Sequence, residues 1–169
     1  MAYENPSQVT SRYWLFANNS NDRRKIHPNL TGKFLLFVDK DKLDTTWKIV
    51  KDATENGLFS YNSKCSTAKE NPKELNHHQG LICIYTADYN DMAEIGRVEK
   101  SIRQVLDLHD TLYYKADIQT AAEKFDEDKP EFTYMYKYEE KSEYTTAKLL
   151  IGATVITGLA YGIYRLKCN

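Results

Sequence analysis

Two periods of apolar residues alternate along the first 125 residues and predict the secondary structure. Five apolar or alternating runs are typical of strands and cover residues 13–17, 33–38, 59–67, 80–86 and 111–115. Apolar positions at helical spacing follow Asp41 and Asp91, and a short third helix is expected over 117–125. This order of elements predicts an α+β domain, with a mainly antiparallel sheet and helices packed on one of its faces.

End signals support the two longer helices. Gly57 stands where a left-handed C-terminal cap would close the first helix. Asp91 and Glu94 have the spacing of a capping box at the start of the second. Both helices are therefore expected to be well bounded.

Beyond the domain, the pattern changes twice. We assign residues 1–125 to the α+β domain and 126–146 to a polar, tyrosine-rich connector. Aromatic residues alternate from Phe132 to Tyr138, which predicts a candidate edge strand within the connector. Residues 147–167 form a candidate C-terminal transmembrane tail anchor.

The tail rests on an uncharged run of 16 residues, Leu149 to Tyr164. As a helix this run spans about 24 Å, a little less than the ~30 Å hydrocarbon core of a bilayer. Lys148 and Arg165 flank it and suit the headgroup regions. The alternatives are a buried helix of a soluble domain and a helix lying on a membrane surface.

Small residues recur at a spacing of four within the tail. Thr154, Gly158 and Gly162 would share one helix face and allow close pairing of two helices in lipid. The tail therefore predicts a membrane as partner and a homo-oligomer or a protein partner through this face.

Composition limits the remaining function classes. The chain has 23 Lys and Arg against 24 Asp and Glu, so its net charge of −1 excludes a global basic field for nucleic acid. Three scattered cysteines and the absence of an N-terminal signal pattern indicate a reducing compartment. With the tail, this predicts the cytosolic face of an intracellular membrane, either the mitochondrial outer membrane or the endoplasmic reticulum. Without the tail, it predicts a soluble cytoplasmic protein.

Charged and hydroxyl side chains stand at or just past the ends of predicted strands, where they could gather around one cleft. The candidate ligand-binding residues are Lys64, Thr86, Asp88, Lys115 and Asp117. Two lysines beside carboxylates could hold a phosphate group. The alternative is a pair of salt bridges that tie strand ends together.

A second candidate is the basic patch Arg23, Arg24 and Lys25 in the first loop, which could contact RNA phosphates or anionic lipid headgroups or simply be solvated. Trp14 and Trp47 invite comparison with a base-stacking pair, but their periods predict core positions for both. We predict no catalytic residue, no metal site and no cofactor, because no triad, ligand spacing or glycine-rich nucleotide loop is visible.

A series of short motifs resembles a known family. Its parts are Gly32–Leu36, Leu43 with Trp47, Gly57-Leu58, Ser63–Ser66, Leu81–Asp91 and Tyr113–Asp117. The series, over residues 10 to 125, resembles the basophilic leukaemia-expressed protein family. That resemblance implies a fold similar to the cap-binding translation initiation factor 4E, with a curved antiparallel sheet.

The chain departs from the family at Ala116, where the family has proline, and over Ile118–Ala122, where an aromatic-rich segment is expected. The membrane tail is a third departure.

Three functions are compatible with these observations. The favoured one is a noncatalytic, membrane-tethered domain that binds RNA, a nucleotide or a phosphorylated partner. The alternative is a membrane-anchored adaptor that self-associates through its tail. A phosphodiester- or nucleotide-processing enzyme, with Asp88 as base, has the least support.

Overall fold

The computed structural model describes residues 3–71, 78–123 and 136–138, with only the backbone described for 121–123 and 136–138. The described chain begins with a 3₁₀ turn at Pro6–Gln8. The elements that follow are β1 Trp14–Asn18, β2 Gly32–Asp39, α1 Lys40–Glu55, β3 Asn62–Ser66, β4 Gln79–Thr86, α2 Met92–Leu106, β5 Leu112–Ala116, α3 Asp117–Glu123 and β6 Tyr136–Tyr138. The strands and helices predicted between residues 13 and 125 are confirmed, with shifted ends.

The six strands form one sheet in the order β1-β3-β4-β2-β5-β6. Every pairing is antiparallel, and the central pair β2 and β4 matches along its whole length, from Gly32 opposite Thr86 to Asp39 opposite Gln79. Neighbouring strands in space are mostly distant in sequence. The predicted α+β class with an antiparallel sheet is confirmed.

One face of the sheet is covered by α1 and α2. Alternate strand residues point to this face, where Phe34 and Ile84 pack with Trp47 of α1 and Ile95 of α2. Trp47 is 1% exposed. Burial of these large apolar side chains supplies most of the stabilisation of the domain.

The helix ends follow the predicted signals. Gly57 has φ +76°, and Gly57 and Leu58 donate backbone hydrogen bonds to Thr54 O and Ala53 O, at 3.0 and 2.9 Å. This pattern is a Schellman motif, so the predicted cap is confirmed. Asp91 Oδ1 accepts hydrogen bonds from the backbone of Ala93 and Glu94 at 3.1 and 3.0 Å.

The second half of the predicted capping box is wrong. The backbone nitrogen of Asp91 donates to Asp88 O, while the Glu94 carboxylate accepts from the backbone nitrogen of Ala87. The Glu94 side chain therefore makes tertiary contacts and does not cap the backbone of Asp91.

The C-terminal predictions fall mostly on residues outside the described part of the chain. Backbone pairing places β6 beside β5 at one edge of the sheet, within the tyrosine-rich segment. The predicted tail at 147–167, with Thr154, Gly158 and Gly162, lies outside the described residues. Within the described ranges, no helix has the length and apolarity needed to cross a bilayer.

Candidate functional site

Lysines and aromatic residues share the sheet face opposite α1 and α2, which we call the lysine face. Strand alternation and cross-strand register define its members. They include Trp14 and Phe16 on β1, Lys64 on β3, Cys83 and Tyr85 on β4, Lys33 and Phe37 on β2, and Tyr113 and Lys115 on β5.

Lys64 is half-buried among three aromatic side chains. Its Nζ lies 4.4 Å from the ring centroid of Trp14 and 5.5 Å from that of Tyr85. Phe16 is directly opposite Lys64 in the β1–β3 register and is 58% exposed. Such distances allow cation–π attraction, so the two rings hold the ammonium group in place. The exposure of Phe16 leaves this corner of the lysine face open to solvent.

Lys33 lies deeper and is 7% exposed. Its Nζ forms an ion pair with Asp117 Oδ1, donates to Thr120 Oγ1 at 3.1 Å and lies 5.6 Å from the Tyr85 ring centroid. A buried ammonium group is costly unless it has a charged partner, and Asp117 offsets that cost. Lys115, also buried, stands opposite Lys33 on β5.

Asp117 joins this cluster to the end of the sheet. Its Oδ2 accepts a hydrogen bond from Thr31 Oγ1 at 2.5 Å, and its backbone nitrogen donates to Thr31 O at 2.8 Å. Burial raises the pKa of the nearby Tyr61 hydroxyl, and the negative charges of Asp117 and Glu94 raise it further. Tyr61 therefore stays neutral at ordinary pH.

Burial also controls the titration of β4 side chains on this face. It raises the pKa of Tyr85, with smaller contributions from Cys83 and Asp117. It raises the pKa of the Cys83 thiol to about 11, against the opposing effect of Lys64 and Lys33. The lysines consequently carry the positive charge of the face without compensation from Tyr85 or Cys83.

The five predicted ligand-binding residues occupy three different places. Lys64 and Lys115 lie on the lysine face, and Asp117 lies at its end. Asp88 follows β4 at the same end of the sheet, where its Oδ1 accepts from the backbone nitrogen of Asn90 at 2.8 Å. Thr86 is fully buried on the opposite face and its hydroxyl pairs with Tyr114 Oη at 2.6 Å. Thr86 is thus separated from the two lysines by the sheet.

The basic patch is divided in the same way. Arg24 donates to Glu94 Oε1 at 2.8 Å, to Ser60 Oγ at 3.0 Å and to Asp22 Oδ2 at 2.6 Å. The hydrogen bond with Asp22 is the main cause of the raised pKa of Arg24, and it lowers the pKa of Asp22. Arg24 therefore fastens the first loop to α2 while its side chain stays 45% exposed, and Arg23 and Lys25 are exposed as well.

The tryptophan prediction is half right. Trp47 is in the core as expected, but Trp14 is half-buried on the lysine face beneath Lys64. The sequence holds two tryptophans, and the burial of Trp47 removes one of them from any base-stacking pair. A sandwich of a base between two tryptophans is therefore excluded.

Sequence reasoning missed Lys33, Tyr85 and Phe16 as members of the site. The available signal for Lys33 was its place inside an otherwise apolar strand, because lysine is rarely buried there without a charged partner. Phe16 and Tyr85 carried no such signal, because aromatic residues are common in strands.

Comparisons with known proteins agree with this architecture. The model of the family described as basophilic leukemia-expressed protein Bles03 matches residues 25–122. No curated protein matches the sequence.

Solved structures give the same fold. A schistosome eIF4E complexed with m7GpppA and 4E-BP aligns with 14% identity and a TM-score of 0.59, over 80% of this chain and 75% of that one. The schistosome eIF4E complexed with m7GpppG and 4E-BP aligns with 14% identity and a TM-score of 0.57, over the same shares of both chains.

At these identities the likeness concerns the fold, and the family match covers more than half of the sequence. The chain belongs to the basophilic leukemia-expressed protein Bles03 family.

Proposed function

We propose that this domain is a noncatalytic binding module for the phosphorylated end of a nucleotide or an RNA. The observation that carries the proposal is Lys64 on a half-exposed sheet surface, next to the aromatic rings of Trp14, Phe16 and Tyr85. Aromatic side chains on a sheet can stack on bases, and a neighbouring lysine can contact phosphate as a point charge.

The charges beneath Lys64 support an anionic ligand. Lys33 and Lys115 add positive charge to the same face, and the ion pair of Lys33 with Asp117 neutralises part of it. We assign direct contact to Lys64, because Lys33 and Lys115 are buried. In this proposal, Asp88 and Asp117 border the site at the end of the sheet, and Thr86 takes no part.

The fold is compatible with such a role. The two schistosome structures of this fold contain m7GpppA or m7GpppG, together with 4E-BP. A shared fold does not transfer a binding site, so the proposal rests on the lysine face of this chain.

Isothermal titration calorimetry of the full-length protein with GTP at low salt tests the proposal. We expect saturable binding that weakens as salt is added, because the phosphate contact is electrostatic. Lys64→Met should weaken binding about tenfold, the equivalent of losing one charged contact. The matched control is Lys100→Met, which removes an exposed lysine of α2 and should leave binding unchanged.

Two results would contradict the proposal. One is the absence of saturable binding at low salt. The other is equal affinity of the Lys64→Met and Lys100→Met variants.

Membrane attachment through residues 147–167 stays a prediction. We expect the full-length protein to remain in the membrane fraction after an alkaline carbonate wash and residues 1–145 to be released, because an uncharged helix partitions into the bilayer. Immunoblotting of the washed pellets measures this. Release of both proteins would show that the uncharged run does not anchor the chain.

A further inference from the structure

The aromatic rings of the proposed site already hold a cation, and this limits the chemistry of the ligand. The ammonium group of Lys64 lies over Trp14 and within cation–π distance of Tyr85, whose ring is also approached by Lys33. Trp is the best ring for binding a cation. Among the described residues of the lysine face, the tryptophan ring is that of Trp14, and Lys64 of the same chain already occupies it.

A cationic base would meet two obstacles at this surface. It would have to displace the Lys64 ammonium from Trp14 and Tyr85, and it would bring a further positive charge close to those of Lys64 and Lys33. The 7-methylated guanine named in the schistosome complexes is such a base, because methylation at N7 leaves the ring with a positive charge.

Phe16 offers a different kind of contact. It is 58% exposed and stands opposite Lys64 in the β1–β3 register. Its ring can stack on a neutral base by dispersion and apolar contact, while the adjacent ammonium reaches the phosphates of the same ligand. Phe16 would thus bind the base, and the neighbouring Lys64 would bind the phosphates.

On the basis of the proposed function, we propose that the lysine face binds guanine nucleotides through their phosphates and through stacking on Phe16, and that Lys64 keeps a cationic base away from Trp14 and Tyr85. The specificity is therefore for phosphate and a stacked base, and 7-methylation brings no advantage.

Isothermal titration calorimetry measures the dissociation constants of the full-length protein for GTP, 7-methyl-GTP and inorganic tripolyphosphate, and so tests this inference. We expect 7-methyl-GTP to bind no more tightly than GTP, because its cationic base is kept from Trp14 and Tyr85 and repelled by Lys64 and Lys33. Phe16→Ala should weaken GTP binding at least fivefold and leave tripolyphosphate binding unchanged, because tripolyphosphate has no base. Phe37→Ala is the matched control, since Phe37 is an exposed phenylalanine of the same face opposite Leu81.

A second variant tests the role of Lys64 in the selection. Lys64→Met removes the internal cation and keeps an unbranched apolar side chain. It should weaken GTP binding and shift the affinity ratio at least fivefold toward 7-methyl-GTP, because Trp14 and Tyr85 become accessible to a cationic base.

The outcomes separate the inference from the proposed function. A more than twofold preference of the wild-type protein for 7-methyl-GTP overturns the inference alone, as does an unchanged ratio in Lys64→Met. Absence of binding by all three probes overturns the proposed function and this inference with it.

Discussion

At the scale of single residues, the best-defined interaction of the lysine face is the ion pair between the buried Lys33 and the partly exposed Asp117. The Lys33 side chain is 9% exposed and that of Asp117 is 26% exposed. Removal of one member leaves the other charge without its partner in a poorly solvated place. Such a loss is much more costly than replacement of both members by apolar or neutral groups.

We therefore expect Asp117→Asn to lower the free energy of unfolding by about 3 kcal/mol, because Asn keeps the shape and the Thr31 contact but not the charge. The double variant Lys33→Met with Asp117→Asn should recover at least half of that loss. Urea denaturation monitored by circular dichroism measures both.

The exposed ion pair between Arg12 and Glu4 provides the control, since its side chains are 50% and 51% exposed. Glu4→Gln should change stability by less than about 0.5 kcal/mol, as surface pairs usually do. A double variant less stable than Asp117→Asn would contradict the assigned role of the pair.

At the scale of elements, the ends of α1 and α2 show how local signals and tertiary contacts share control. Gly57 adopts a left-handed conformation that sequence patterns alone predict, because few other residues tolerate it. Glu94 instead leaves the predicted capping box for Arg24, Ser60 and the backbone of Ala87. No local pattern contains those partners, which come from three separate segments.

Two glycine substitutions separate these effects. Gly57→Ala should destabilise the domain by about 1 kcal/mol, because φ is +76° and the new Cβ would lie 3.2 Å from Asn19 Nδ2. Gly96→Ala lies within α2, where the new Cβ meets nothing within 4 Å. It should stabilise the domain by about 0.5 kcal/mol.

The midpoints of thermal unfolding provide the measurement for both glycine variants. A Gly57→Ala protein as stable as Gly96→Ala would show that the left-handed cap does not matter for α1.

At the scale of the whole molecule, burial of titratable side chains on and near the lysine face makes stability depend on pH in the alkaline range. Burial raises the pKa values of Tyr61, Tyr85 and Cys83, the last to about 11. As pH rises through the ordinary pKa of a thiol near 9, the unfolded chain releases a proton that the folded protein keeps. The folded state then binds more protons, so stability must fall with increasing pH.

We expect the free energy of unfolding to decline from about pH 9 to about pH 11 and the decline to be shallower in Cys83→Ala. Urea unfolding at a series of pH values, compared between the two proteins, measures the contribution of the thiol. Equal slopes for the wild type and Cys83→Ala over this range would contradict the burial of Cys83 as the cause.

Secondary structure in this protein follows from patterns within short segments. The continuous apolar run around Phe34, the helical period around Trp47, and the caps at Gly57 and Asp91 each depend on neighbours a few residues away. Local backbone geometry and the burial of one apolar face suffice to specify such elements. The elements could therefore be predicted with only small shifts of their ends.

The site depends instead on the order of strands in the sheet. Phe16, Lys64, Tyr85 and Lys33 come from β1, β3, β4 and β2, and the register between those strands sets which side chains meet. A shift of one residue would turn a strand's side chains to the other face. Thr86, next to Tyr85 in β4, already faces the core and is separated from Lys64 by the sheet. Pairing between strands distant in sequence is a cooperative property of the folded chain. The sequence therefore predicted the individual strands, whereas the tertiary structure alone determined which side chains form the lysine face.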